Sequence, residues 1–193
     1  MSAQWRRFLR VGARTLLAVG LVAEGVVVGA GIAGWRVNRS ASLPLGIYRL
    51  QEKVEPARGS LVLACPPREV AEMARARGFL RGGPCPGGVE PLGKRVVAVE
   101  GDRVEIDEDG KVWVEGEKVP GSEAWNGKAL GWEFRTWVGR RLRLKKGEVW
   151  LFAPHPRSFD SRVFGPVDAD ALRGSIEPVW VVSEVGDAWK ASG

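Results

Sequence analysis

Histidine and cysteine are almost missing from this chain, which has one of the first and two of the second in 193 residues. That scarcity speaks against a zinc site. A zinc site takes four ligands at short spacing, and the CPP…CPG surroundings of Cys65 and Cys85 offer no such set. Neither a metal nor a cofactor is expected. Nucleophilic catalysis is narrowed as well, because the GxSxG elbow and the HExxH motif are both missing. A serine–histidine relay would have to use His155, which lies between Pro154 and Pro156. With Asp160 its only acidic neighbour in that loop, His155 reads as a surface-loop histidine. There is no internal repeat and no low-complexity tract.

Acids are missing where the N-terminal arginines cluster. Arg6, Arg7, Arg10 and Arg14 precede an apolar run over 15–35, and only Arg36 and Arg39 follow it closely. A net charge of +6 would suit nucleic acid or an anionic membrane equally well. The position of the charge favours the membrane, so nucleic acid is not an expected partner. The run is long enough for a helix to cross the bilayer and longer than the apolar core of a cleaved secretory signal. The positive-inside rule then orients it. Residues 1–14 are expected to be a cytoplasmic basic N-terminus, 15–35 a single-pass plasma-membrane anchor, and 36–193 a domain on the outer, periplasmic or extracellular, side. Glu24 is costly within such a span unless protonated or paired, and Gly25 and Gly29 form a GxxxG through which a second helix could pack. In that topology Cys65 and Cys85 face an oxidising compartment, and an even pair there suggests one disulfide.

What is abundant beyond the anchor is strand pattern. The segment 38–50 reads as extended, with Pro44 and Gly46 opposing helix. Residues 59–64 read as a buried strand, and 66–83 carry a short helix that starts after Pro67 and stops at glycine. Val97, Val99, Val104, Ile106, Val112 and Val114 recur with period two between Gly-Asp, Asp-Gly and Glu-Gly turns, which is antiparallel sheet. Residues 121–143, with Trp125, Trp132 and Trp137, read as an excursion, and strands return over 148–153 and 175–185. The fold class is mainly β, a compact folded antiparallel sheet or partial barrel with short helices.

A serine can be activated by lysine if burial keeps the amine neutral near pH 7. Lys94 opens the run KRVVAV, although on composition alone it reads as a solvated lysine at a strand end. Three separated blocks change that reading. The first is Ser40-Ala41-Ser42-Leu43-Pro44, with Asn38 before it and Gly46 and Tyr48 after. The second is Lys94-Arg95-Val96-Val97 followed by Gly101-Asp102. The third is Ser158-Phe159-Asp160-Ser161-Arg162. In this order, a few residues behind an apolar span, they resemble the conserved boxes of type I signal peptidases. Within that family the likeness is to the TraF-type conjugative-transfer peptidases, which combine Asn-x-Ser/Thr-x-Ser-x-Pro-x-Gly-x-Tyr with one span, small size and a cysteine pair before the lysine block. The chain departs at Leu43, where the family has Met, and at 154–158, where leader peptidases carry a Gly-Asp-Asn stretch.

The resemblance implies a signal-peptidase-like fold and a role for each matching residue. Ser42 is the expected nucleophile and Lys94 its general base. Ser40, two residues earlier on an extended segment and so on the same side, is expected to form the oxyanion hole with the Ser42 N–H. Ser158 would orient Lys94, Asp160 and Arg162 would pair to hold their loop, and Ser161 would support it. Expected partners are exported precursors bearing signal peptides, a conjugative pilin precursor among them, and the lipid bilayer. The pilin product could be cyclic if an amine resolves the acyl-enzyme. Two other readings fit the same residues: a housekeeping leader peptidase for secretory preproteins, and a non-catalytic membrane-anchored scaffold of a secretion apparatus.

Overall fold

Every side chain of the strand Glu148–Phe152 after its first residue is buried, which requires cover on both faces. The surrounding architecture, a computed structural model, describes residues 34–182 apart from 41, 53–54 and 125–136, together with positions 19, 20, 24 and 29. In chain order the strands are β1 (Trp35–Asn38), β2 (Gly46–Gln51), β3 (Leu61–Ala64), β4 (Leu92–Ala98), β5 (Arg103–Ile106), β6 (Val112–Val114), β7 (Glu117–Lys118), β8 (Arg141–Arg143), β9 (Glu148–Phe152), β10 (Val167–Asp168) and β11 (Leu172–Val181). Helix α1 (Arg68–Ala76) follows β3, and the single turn α2 (Ser161–Phe164) follows β9.

A seven-stranded sheet runs β1-β2-β11-β3-β4-β9-β10, and a four-stranded sheet runs β7-β6-β5-β8. All the described pairings are antiparallel. Because neighbouring residues of a strand point to opposite faces, β9 serves two cores. Val149 and Leu151 join Val62, Val96, Ala74 of α1 and Val163 of α2 on one side. Trp150 and Phe152 meet Val104, Ile106, Val112 and Val114 of the smaller sheet on the other. This is the folded antiparallel sheet with short helices that the period-two pattern predicts.

Several details differ from the sequence reading. In β4 the buried set is Lys94, Val96 and Ala98, one residue out of phase with Val97 and Val99, which are half-buried. Both faces of this central strand carry cover, so alternation alone sets its phase poorly. The segment after Asn38 is not a continuous extended strand but a turn leading into β2. Within the predicted excursion, β8 pairs with β5; its Arg-Leu-Arg sequence lies on a sheet edge with both arginines exposed, and so carries almost no apolar signal.

Cys65 and Cys85 are joined by a disulfide, with Cα atoms 5.5 Å apart. Together with Ala71 of α1 and Val89 they form a small core under the helix-bearing loop. Residues 37–193 make one compact unit and 1–36 another. The predicted anchor lies outside the described residues except for positions 19, 20, 24, 29, 34 and 35. Among the described residues no helix is long and apolar enough to cross a membrane.

Candidate active site

The turn that carries Ser42 is built by local polar bonds rather than by strand pairing. Asn38, at the end of β1, donates from Nδ2 to the carbonyls of Ser40 (2.9 Å), Leu43 (2.9 Å) and Pro44 (3.1 Å). The Tyr48 hydroxyl, buried in β2, donates to the same Pro44 carbonyl at 2.7 Å. Burial raises the Tyr48 phenol to about 12, so it stays a donor at any ordinary pH. The apolar half of the turn is anchored by Leu43, which packs with Tyr48, Ala153 and Ile176. Gly93 of β4 makes that possible, because a Cβ there would sit 2.5 Å from Leu43 Cδ1.

The turn sets Ser42 over the start of β4. Lys94 Nζ donates to Ser42 Oγ at 2.9 Å and to Ser158 Oγ at 3.2 Å. Lys94 has 1% of its surface exposed. Desolvation by burial is the largest influence on it and lowers its pKa from 10.5 to about 8; nearby Asp160 raises it, and Arg162 lowers it further. The amine therefore exchanges its proton within reach of neutral pH, and once neutral it can accept the Ser42 proton through the same short contact.

Beneath Lys94 lies a buried ion pair. Arg162 grips Asp160 with two parallel bonds, Nε to Oδ1 at 2.9 Å and Nη2 to Oδ2 at 2.6 Å, and both side chains have no exposed surface. Asp160 also accepts from the Arg162 and Ala153 amides, the first of these being the N-cap bond of α2. Arg162 in turn donates to the Ala153 carbonyl and lies 4.6 Å over the Phe152 ring. Burial would raise the Asp160 carboxyl, but the Arg162 charge and bonds, with Lys94 and the Ser158 hydroxyl, hold it below the usual carboxylate range. Ser158 thus bridges Asp160 and Lys94. Ser161 accepts the Leu151 amide at 2.9 Å, fastening α2 to β9.

The structure brings together Ser42, Lys94, Ser158 and Asp160–Arg162, contributed by residues as far apart as 42 and 162. Ser40 stands differently. Its hydroxyl donates to Asn38 Oδ1 at 2.8 Å, and its amide donates to the same oxygen at 3.0 Å. The extended-strand geometry that would place Ser40 and Ser42 on one side is replaced by a turn, because Asn38 captures both the amide and the carbonyl of Ser40. His155 is occupied locally: its Nδ1 accepts the Arg157 amide at 3.2 Å, and its own amide donates to Ala153 O at 2.8 Å. None of the described hydrogen bonds joins His155 to Ser42. Among the described residues no cluster of His, Cys, Asp and Glu could hold a metal. Sequence reasoning gave no role to Asn38, Tyr48 or Gly93. The Asn-x-Ser spacing, a familiar side-chain-closed turn, was the available signal for the first.

Over residues 5–181 the chain matches the family described as signal peptidase, peptidase S26, and it belongs to that family. It is 40% identical over 172 residues to a probable conjugal transfer protein TraF of Sinorhizobium fredii, covering 85% of this chain and 86% of that one. It is 37% identical over 169 residues to the conjugal transfer protein TraF of Agrobacterium fabrum, covering 86% of this chain and 94% of that one. A signal peptidase I crystal structure from Enterococcus faecalis aligns with 64% of this chain and 98% of its own, at 17% identity and a TM-score of 0.39.

Proposed function

We propose that this protein is a membrane-bound serine endopeptidase that removes signal or leader peptides from exported precursors, using Ser42 as nucleophile and Lys94 as general base. The observation that carries this reading is the 2.9 Å contact between Ser42 Oγ and a lysine amine buried to 1% exposure. A lysine in that setting has little structural use, since burying its charge opposes folding.

In the proposed reaction, neutral Lys94 takes the Ser42 proton as Oγ attacks the scissile carbonyl carbon. The Ser42 N–H and the Ser40 hydroxyl receive the oxyanion. Collapse breaks the C–N bond, and the Lys94 ammonium returns its proton to the leaving amine, leaving an acyl ester on Ser42. Water, deprotonated by Lys94, or an amine then resolves the ester; where the segment removed lies C-terminal to the cut, the N-terminal amine of the acyl fragment itself would close a cyclic product and displace Ser42 Oγ. Ser158, fixed by Asp160 and Arg162, keeps the Lys94 amine directed at Ser42.

The Arg6–Arg14 cluster and the apolar run 15–35 support a single-pass plasma-membrane location with residues 36–193 on the outer side. A site that starts at Asn38 would then meet chains presented at the outer surface. The likeness to conjugal transfer proteins favours a conjugative pilin precursor over a general role in secretion. Cleavage assays with the full-length chain separate these readings. A pilin precursor should be processed and a generic Ala-x-Ala substrate hardly at all, with both activities abolished by Ser42→Ala. Equal cleavage of the generic substrate would make it a housekeeping enzyme, and no cleavage of either a scaffold.

A further inference from the structure

Asn38 is the most densely engaged polar side chain around the nucleophile turn. Its Nδ2 serves three carbonyls with two N–H bonds, one of them shared, and its Oδ1 accepts both an N–H and an O–H from Ser40. The two ends of the carboxamide are therefore not interchangeable: a flipped amide would set Nδ2 against the Ser40 N–H and Oδ1 against three carbonyl acceptors. Aspartate could satisfy only the Ser40 end, and a hydroxyl side chain is too short to span the turn. The site needs an amide at this position.

The Ser40 end bears on chemistry. A hydroxyl has one proton to give, and that of Ser40 is given to Asn38. We propose that Asn38 is a positioning residue that sets the nucleophile turn with one end of its carboxamide and withholds the Ser40 hydroxyl with the other, releasing it only to the charge that develops on the substrate carbonyl. A neutral carbonyl oxygen is no better an acceptor than the amide oxygen already in place. An oxyanion is much better, since charge-assisted hydrogen bonds are roughly twice as strong as neutral ones. Ser40 would then contribute little to substrate binding and much to the transition state, which is the kind of interaction that raises turnover. No bond other than this hydrogen bond is exchanged. This inference rests on the peptidase reading and adds to it how the oxyanion donor is controlled.

The test is steady-state kinetics of the full chain on one cleavable precursor peptide, with Asn38→Ala, Asn38→Asp, Ser40→Ala and the Asn38→Ala/Ser40→Ala double variant. Asn38→Ala loosens the turn and frees Ser40 to bond the ground-state carbonyl. Its kcat should fall roughly 10–10²-fold, as misplaced catalytic groups do, while KM stays level or falls. The double variant should lose less than the product of the two single losses, because both act through one hydroxyl. Should the alanine variant not fold, Asn38→Asp serves instead. It keeps the acceptor, strengthens its hold on Ser40 and loses the bonds donated to the three carbonyls, so its kcat should fall as well. A raised KM with unchanged kcat, or losses that simply multiply in the double variant, would overturn the proposal. If the wild type cleaves and both Asn38 variants cleave equally well, this inference alone fails. If the wild type forms no acyl adduct and cleaves nothing, the peptidase reading fails and takes the inference with it.

Discussion

A lysine with 1% of its surface exposed, beside two hydroxyls and a carboxylate already engaged by arginine, is held in the fold against its own preference. Below about pH 8 Lys94 carries a proton in both the folded and the unfolded chain, and the folded state bears the full desolvation penalty. Between about 8 and 10.5 the folded chain has released that proton while the unfolded chain keeps it, so this contribution to stability improves as pH rises through the window. Replacing Lys94 by Met should therefore stabilise the protein at pH 7 by up to about 3 kcal/mol, the equivalent of the shift, with the gain shrinking toward pH 10. Chemical denaturation at the two pH values measures it. Lys94→Arg should abolish activity at every pH, since arginine keeps its proton, and cleavage assays from pH 6 to 10 check that. From the sequence, Lys94 was legible only through its block. Composition alone makes it a solvated strand-end lysine, because nothing local announces that Ser42 and Ser158 will close over it.

At the scale of elements, the site stands on β4 and on the loop joining β9 to α2. Asp160 and Arg162 hold that loop, and a buried pair is far more costly to halve than to remove whole. Arg162→Met should leave the buried Asp160 without its bidentate partner, costing roughly 3–5 kcal/mol, while replacing both by apolar residues should cost less, the remaining loss coming from the Ala153 amide and carbonyl that the pair now satisfies. Denaturation midpoints of the single and double variants distinguish the cases, and activity should fall in both because Ser158 loses its anchor. Gly93→Ala should act through packing. Its Cβ would fall 2.5 Å from Leu43 Cδ1, displacing the residue next to Ser42, so kcat should drop with only modest loss of stability. The β5–β6 hairpin was legible because Val104, Ile106, Val112 and Val114 alternate cleanly against one core. Strands β8 and β10 were not, being two or three residues long at sheet edges. The turn after Asn38 was missed because side-chain amide bonds, not apolar periodicity, decide it.

The compact unit of residues 37–193 holds both the disulfide and the candidate site. The disulfide closes a segment of sequence separation 20 around α1. Reducing it should lower stability by about 3 kcal/mol through the freedom returned to the unfolded chain, and denaturation with and without reductant measures this. External protease should reach residues 36–193 in spheroplasts, and protection there would contradict the proposed orientation. The Ser42–Lys94 pairing is put to the test by intact-mass and peptide-mass analysis of the full-length protein after treatment with a serine-directed acylating reagent, timed across pH. One adduct is expected, on Ser42, forming at a rate that rises through about pH 8, with none on Lys94→Arg. An adduct on another residue, or Lys94→Arg acylated at the wild-type rate while His155→Ala is inert, would contradict it.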